Sequence, residues 1–189
     1  RWPLAVAMKV LTQYHEATGD ERVIPLLTNY FKYVNRVPPD WPVTEWRGVR
    51  AMENVVSAFW LYNRTGNAEI LRAADSIHDN CFDWTPFFLD FPYTTDALKK
   101  GLKYTLLTHD VNNAMAVKNP ALWYLRSGDP RDREATFRGI ASLDEHHGQV
   151  TGGFGGDEHL SGKRPTQGME LCGVVEYMFS METVSYTHL

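Results

Sequence analysis

Apolar residues recur at intervals of three and four positions along most of the chain, most clearly within residues 23–34 and 55–62. This spacing puts the apolar side chains on one face of an α-helix, the face that packs into a core. The alternation of apolar and polar residues that indicates β-strands is weak, so the pattern predicts an all-α protein. The predicted helices span residues 4–17, 21–35, 46–64, 68–80, 97–126, 130–146 and 171–182.

A short phrase that closes with glycine and then Asp or Asn occurs three times, at residues 14–20, 62–67 and 124–129. Glycine readily adopts the left-handed conformation that ends a helix, and the Asp or Asn that follows it can cap the next helix. Each phrase is therefore predicted to join two helices. A self-similar series of this kind indicates an architecture of repeated αα-hairpins.

Proline residues predict where the helical pattern is interrupted. Residues 38–42 and 83–92 contain several prolines and are predicted to be loops. Pro120 lies inside the helix predicted at 97–126, and proline lacks the N–H group that a helix interior needs. We therefore expect Pro120 to start or to kink the second half of that helix.

The two ends of the chain indicate a fragment. The first residue is not Met, and a strong amphipathic pattern continues almost to the end of the chain. We expect residues 1–183 to be part of one domain of a longer protein. Residues 184–189 break the helical pattern and resemble a translated sequencing adapter, so we expect them to be a non-native tail.

Composition and charge change this picture by excluding several classes of protein. The 19 Lys and Arg residues and 23 Asp and Glu residues leave a net charge of -4, so no basic field favours nucleic acid as a partner. Two cysteines, Cys81 and Cys172, cannot build the disulfide framework of a small secreted domain. No stretch approaches the ~20 apolar residues that span a bilayer, so we expect no membrane span.

Candidate chemistry is concentrated in a glycine-rich segment. Residues 148–168 hold seven of the 14 glycines and lie between two predicted helices. Long ordered loops often carry function. Within this segment, Glu158 is flanked by glycines that permit close approach of a ligand, and Phe154 could exclude water from its carboxyl group. This arrangement is typical of a general acid, and a solvated turn is the alternative interpretation.

Glu170 and Cys172 form a second candidate pair, because carboxylate oxygen and thiolate sulfur both bind zinc. Residues two positions apart do not share a helix face, so joint binding requires the pair to lie at a helix entrance. The alternative is a buried Cys172 that packs as a small apolar residue beside a helix-start Glu. His109 lies in an apolar run and is predicted to be a core histidine. His146 and His147 are predicted to face solvent or to cap a helix.

Three segments together resemble a known family. Residues 109–116 read His-Asp-Val-Asn-Asn-Ala-Met-Ala, residues 151–153 read Thr-Gly-Gly and lead to Glu158, and residues 170–172 read Glu-Leu-Cys. In this order they resemble the β-L-arabinofuranosidase family of glycoside hydrolases, family 127 and its relatives. The resemblance covers residues 1–183 and implies that they are the N-terminal part of a catalytic domain, an (α/α)6 barrel of helical hairpins with a sugar pocket at one end. Members of the family are typically bacterial enzymes that act on plant-derived glycans.

The resemblance also implies roles for individual residues. Glu158 matches the general acid/base, and Glu170 and Cys172 match two zinc ligands. The family's nucleophile is a cysteine beyond residue 189, so the resemblance implies that the zinc site is incomplete and that the fragment alone is inactive. Leu171 departs from the family pattern, which more usually has Thr. The substrate-binding residues that the resemblance implies are His109, Glu53 and Gln167.

Two other classes of function remain open at this point. A sugar epimerase on the same barrel would use histidine proton shuttles and no cysteine-bound metal. A carbohydrate-binding helical toroid would have no catalytic chemistry. Nucleotide binding is disfavoured, because the sequence from Gly153 lacks the third glycine of the dinucleotide fingerprint and the sequence from Gly156 departs from the P-loop spacing.

Overall fold

The computed structural model describes residues 2–37, 44–94, 104–164, 166 and 168–187, and these residues form helices joined by turns and isolated β-bridges. The prediction of an all-α fold is confirmed. None of the helices in the described part of the chain is long and apolar enough to cross a membrane. The helices are α1 Trp2–Thr18, α2 Val23–Arg36, α3 Trp46–Val49, α4 Glu53–Thr65, α5 Ala68–His78, α6 Trp84–Leu89, α7 Asp110–Ala116, α8 Lys118–Ser127, α9 Pro130–His147 and α10 Leu171–Thr187.

The chain divides into two compact units, and the first spans residues 1–82. In this unit α1 packs on α4, α2 packs on α5, and α4 packs on α5. Phe31 of α2, Leu61 of α4 and Ile70 of α5 are fully buried. Burying each such side chain contributes about 1.5–3 kcal/mol to stability, so the apolar stripes read from the sequence are what holds this unit together.

The second unit spans residues 83–189, and aromatic side chains form part of its core. Phe88 of α6 stacks on Trp84, with ring centroids 5.5 Å apart. Gly139 of α9 allows this ring to approach closely, because a Cβ atom at position 139 would lie 2.7 Å from Phe88. The short helix α6 is therefore seated directly against the backbone of α9.

A buried polar contact ties α10 to α7 in the second unit. Ser180 of α10 donates a hydrogen bond of 2.6 Å to the carbonyl oxygen of Ala114. The ammonium group of Lys118 is fully buried and donates to the carbonyl oxygen of Met115 at 2.7 Å and to Ser180 at 3.4 Å. Buried polar groups of this kind need partners, so the contact specifies how α10 lies against α7.

The three glycine phrases are helix joints, as predicted. Gly19, Gly66 and Gly128 have φ angles of 68°, 62° and 67°. The N–H of Gly128 donates to Tyr124, and the side chain of Asp129 caps the next helix by accepting from Arg131. The residue before each glycine also takes part, since its hydroxyl accepts the N–H two positions ahead. These hydroxyl groups belong to Thr18, Thr65 and Ser127.

The prediction of one continuous helix over residues 46–64 is wrong, because the helix is interrupted at residues 50–52. Arg50 is buried, and its guanidinium group lies 4.6 Å from the ring centroids of both Trp2 and Trp46. Stacking of a guanidinium group on indole rings is favourable. This contact with a residue 48 positions away accompanies the break between α3 and α4.

The prediction of one helix over residues 97–126 is also wrong for the first part of that range. Of that range, residues 97–103 lie outside the described residues, and residues 104–109 are not helical. Their backbone pairs with the glycine-rich segment, since Leu160 donates to the carbonyl oxygen of Thr108 at 2.8 Å. Pro120 lies in the first turn of α8, as predicted.

Two further boundaries differ from the predictions. The loop predicted at 83–92 contains α6, whose first turn is capped by Asp83 through a 3.0 Å hydrogen bond from the N–H of Thr85. Helix α10 extends to Thr187 rather than ending near residue 182, and Val184 on it is buried. Most of the loop predicted at 38–42 lies outside the described residues.

Replacing the joint glycine by alanine tests the conformational argument. Apart from its chain neighbours, no described residue lies within 4 Å of where a Cβ atom at Gly128 would be, so Gly128→Ala adds backbone strain without a steric clash among these residues. We expect it to lower the free energy of unfolding by about 1 kcal/mol, because a left-handed conformation costs an L-residue that much. Gly128→Asn should lose less, since Asn tolerates this region. The measurement is urea unfolding, and an Ala variant as stable as the wild type would contradict the prediction.

Candidate active site

Backbone hydrogen bonds bring three segments of the second unit together. The N–H of Asp110, at the start of α7, donates to the carbonyl oxygen of Glu158 at 2.9 Å. The N–H of Glu170, just before α10, donates to Gly156 at 3.1 Å, and Gly156 in turn donates to Gly168 at 3.0 Å. The glycine-rich segment is therefore paired with the entrances of both helices, which places their first side chains next to one another.

Three side chains with metal-binding atoms meet at this junction. His109, Asp110 and Glu170 each offer one such atom, and these atoms all lie within 4.8 Å of one another. The side chain of Asp110 is 2% exposed and that of His109 is 12% exposed. His109 was predicted as a site residue, whereas Asp110 was assigned no role. The signal for Asp110 was a charged residue inside the apolar run 106–111.

Asp110 has unusual electrostatics. Burial, and then the nearby charge of Glu170, raise the pKa of the Asp110 carboxyl group from 3.8 to about 7, although the N–H of Val111 donates to it at 2.7 Å. Among the described residues, neither Asp110 nor Glu170 forms an ion pair with a lysine or an arginine. Burial beside a second acid therefore favours the neutral form of the Asp110 carboxyl group.

Cys172 lies in the first turn of α10 and is exposed, so the alternative of a buried Cys172 is wrong. A hydrogen bond to Glu170, then burial and the charge of Glu170, raise the pKa of the Cys172 thiol. The Oε2 atom of Glu170 is buried and has no hydrogen-bond partner among the described residues. The pair thus lies at a helix entrance, which is the arrangement that joint binding of a metal requires.

Glu158 lies at the tip of the glycine-rich segment, and its side chain is exposed. Among the described residues, it is the one residue other than glycine with a positive φ angle, 96°. Such a backbone conformation costs an L-residue on the order of 1–3 kcal/mol and is characteristic of functional sites. The carboxylate of Glu158 also acts on its neighbour: burial lowers the pKa of His159, and the charge of Glu158 opposes this shift.

Glu53 and Gln167 are the other two predicted site residues. Glu53 is buried in α4, in the first unit, and one of its oxygens lies 3.5 Å from the ammonium group of Lys9. Gln167 lies outside the described residues. The structure therefore brings together His109, Glu170 and Cys172, with Glu158 joined to them through its backbone.

The expectation that His147 faces solvent or caps a helix is wrong. His147 is fully buried, and its Nε2 atom donates to the carbonyl oxygen of Tyr93 at 2.7 Å. Its Nδ1 atom accepts the N–H of Gly162 at 2.9 Å. This histidine anchors the glycine-rich segment to the end of α9. Its environment was not predicted because its two partners, Tyr93 and Gly162, lie 54 and 15 positions away in the sequence.

A cavity of about 390 Å³ borders the cluster. Its walls are the turn at residues 151–154 and the inner side of α10, where the rings of Phe154 and Tyr177 meet edge to face at 5.1 Å. Gly173 lines the cavity and also touches the cluster, because a Cβ atom there would lie 2.9 Å from the Oδ2 atom of Asp110. An aromatic wall beside polar groups suits the apolar face of a sugar.

Comparison with protein families gives a match to the model described as beta-L-arabinofuranosidase, GH127 catalytic domain, over residues 2–185. The chain belongs to glycoside hydrolase family 127. Family 127 membership identifies a glycoside hydrolase, which in turn implies a carbohydrate substrate. No curated protein and no solved structure gave a significant match to this family 127 chain.

The raised pKa of Asp110 predicts how stability depends on pH in the metal-free protein. Between pH 3.8 and about 7, the folded chain keeps a proton on Asp110 that the unfolded chain has released. The free energy of unfolding should therefore fall as pH rises through this window. The measurement is urea unfolding at several pH values with a chelator present.

The matched control is Asp110→Asn, which has no proton to lose. The difference between the two proteins reports on Asp110 and on its contact with Glu170, because His159 and the groups away from this contact are common to both. We expect the variant to lose most of this pH dependence. Parallel curves for the two proteins would show that Asp110 titrates at its ordinary pKa.

Proposed function

We propose that this chain forms part of a retaining glycoside hydrolase that cleaves β-L-arabinofuranosides or a related sugar of plant glycans. The observation that carries the proposal is the meeting of the Glu158 segment with the Glu170–Cys172 pair, in a chain that matches the family over residues 2–185. The cavity beside the pair supplies the space for a sugar ring. Family membership supports hydrolysis, and the residue roles below are our inference.

Glu170 and Cys172 are the proposed zinc ligands on this chain. Three features of the site support a cation here: a buried carboxylate oxygen without a hydrogen bond, a thiol next to it, and the lack of a lysine or arginine counter-ion among the described residues. Carboxylate oxygen and thiolate sulfur are common zinc ligands. Zinc would supply the positive charge that keeps a nearby thiol in its nucleophilic thiolate form.

Glu158 is the proposed general acid and base. In the first step, a cysteine thiolate from later in the protein attacks the anomeric carbon, and Glu158 gives its proton to the departing glycosidic oxygen. In the second step, Glu158 takes a proton from water, which attacks the same carbon and releases the thiolate. Two displacements at one carbon retain the anomeric configuration. The exposed position of Glu158 at the tip of its segment leaves it accessible to substrate and water.

The role of Glu158 predicts a specific kinetic defect. Glu158→Gln keeps the size and hydrogen bonding of the side chain but cannot donate the proton, so turnover by the intact enzyme should fall by ~100- to 10,000-fold. The loss should be smaller for nitrophenyl arabinofuranosides, whose leaving group needs little protonation. Asp157→Asn, which removes the neighbouring exposed carboxylate, is the matched control and should retain activity. Equal losses on good and poor leaving groups would count against the proton role.

The zinc proposal predicts a difference between the two cysteines. Cys172→Ser and Glu170→Gln should each weaken zinc binding by more than about 100-fold, because each removes a ligand rather than a residue that only supports one. Cys81→Ser is the matched control, since the buried Cys81 thiol donates to the carbonyl oxygen of His78 at 3.1 Å in the other unit. Zinc content and affinity are measured on the intact enzyme by atomic absorption and competition with a chelator. Unchanged zinc in Cys172→Ser would remove the assignment.

A further inference from the structure

The loop that carries Glu158 has a buried base and an exposed tip. Residues 154–156 and 160–162 are buried, whereas Glu158, at the tip between them, is exposed. The two arms of the loop pair with each other, because an antiparallel β-bridge joins Gly156 to Leu160. The position of the Glu158 carboxyl group therefore depends on how the base of this loop is held.

One residue, His147 at the end of α9, bonds to both arms of this base. Its backbone carbonyl oxygen accepts the N–H of Gly155 at 2.8 Å. The Nδ1 atom of its ring accepts the N–H of Gly162 at 2.9 Å. The ring is oriented from its other side, since its Nε2 atom donates to the carbonyl oxygen of Tyr93 at 2.7 Å. His147 therefore holds the loop at two points, one on each side of Glu158.

The partners of His147 also fix the orientation of its ring. A backbone N–H only donates and a carbonyl oxygen only accepts, so the Nδ1 atom carries no proton and the Nε2 atom carries one. The side chain is fully buried, and the ring of Phe91 meets it edge to face with centroids 6.2 Å apart. A ring turned over in this site would place donor against donor and acceptor against acceptor. The loop is therefore held by a side chain with one allowed orientation.

We propose that His147 is a positioning residue for Glu158, keeping its carboxyl group at a fixed distance from the glycosidic oxygen. The inference rests on the role of Glu158 proposed above and extends it to a residue that touches no substrate. The N–H of Asp110 fixes one backbone oxygen at the tip, and the two bonds to His147 fix the direction from which the loop approaches it. A general acid must lie within hydrogen-bonding reach of the atom that it protonates, and a displacement of ~1 Å can lower the rate by ~100-fold.

Two substitutions separate the bond to the loop from the bond to Tyr93. The side-chain oxygen of asparagine reaches the place of the Nδ1 atom of histidine, so His147→Asn keeps the acceptor for Gly162 and loses the donor to Tyr93. The amide nitrogen of glutamine reaches the place of the Nε2 atom, so His147→Gln keeps the donor and leaves the N–H of Gly162 without its acceptor. If His147 only filled the core, glutamine would be the milder change, because it is closer to histidine in size.

Kinetics of the intact enzyme are measured on methyl arabinofuranosides, which need a proton on the leaving group, and on nitrophenyl arabinofuranosides, which need little. His147→Gln should lower turnover of the methyl substrate by ~10- to 100-fold, with KM changed by less than about threefold, and turnover of the nitrophenyl substrate by less. His147→Asn should recover most of the turnover that the Gln variant loses. His146→Gln is the matched control and should keep wild-type kinetics, since this neighbouring histidine contacts Glu145 of its own helix instead, at 4.0 Å.

Hydrogen exchange of the backbone amides keeps the test valid if the Gln variant does not fold. In the wild-type enzyme, the amides of Gly155 and Gly162 should be protected and should open together, because one residue holds both. Where His147→Gln folds, Gly162 should exchange on the order of tenfold faster, as expected for the loss of one hydrogen bond. Exchange of Gly162 in the wild type at the rate of an exposed amide would overturn the inference without any substitution.

The remaining outcomes overturn the inference or the proposal beneath it, and they are distinguishable. If His147→Asn is impaired as much as His147→Gln, or if the Gln variant loses turnover equally on both substrates, His147 acts through core packing and the positioning role is wrong. If both variants behave as the wild type, the base of the loop does not control the acid. If Glu158→Gln itself shows equal losses on good and poor leaving groups, the failure belongs to the proposed function.

Discussion

The hydrogen bond from the backbone N–H of Asp110 to the carbonyl oxygen of Glu158 is the interaction on which the candidate site depends. It lies where the non-helical residues 104–109 end and α7 begins, and it accompanies the positive φ angle of Glu158. The two acids joined by this bond have opposite environments. The carboxyl group of Asp110 is buried against Glu170, whereas that of Glu158 is exposed, so the backbone contact joins a buried acid to one that is accessible to solvent.

The features predictable from sequence are those with a local cause. The joints at Gly19, Gly66 and Gly128 follow from a conformational preference of one residue, and the apolar stripes follow from the helical repeat. The breaks that were missed depend on distant partners. The guanidinium group of Arg50, where the predicted helix is interrupted, contacts the ring of Trp2, and residues 104–109 pair with a segment about 50 positions later. The spacing of apolar residues within one helix length of sequence cannot reveal contacts with residues about 50 positions away.

The same division applies to the site. Glu158, Glu170, Cys172 and His109 were predicted because their segments resemble a family, and the structure brings the last three together. Asp110 stood in one of those segments, but its importance comes from its contact with Glu170, 60 positions later. His147 was misassigned for a similar reason: a histidine near a helix end usually reaches solvent, and only the placement of Tyr93 and Gly162 encloses it.

The joints have a consequence for how this protein can be modified. Their closing interactions are made within a few residues, and apart from the chain neighbours no described residue lies within 4 Å of where a side chain at Gly19, Gly66 or Gly128 would start. Exposed turns of this kind are the positions where proteins accept inserted segments. A fluorophore, an epitope or a whole reporter domain can be attached there without entering a core, and the three sites divide the chain into hairpins that can be labelled one at a time.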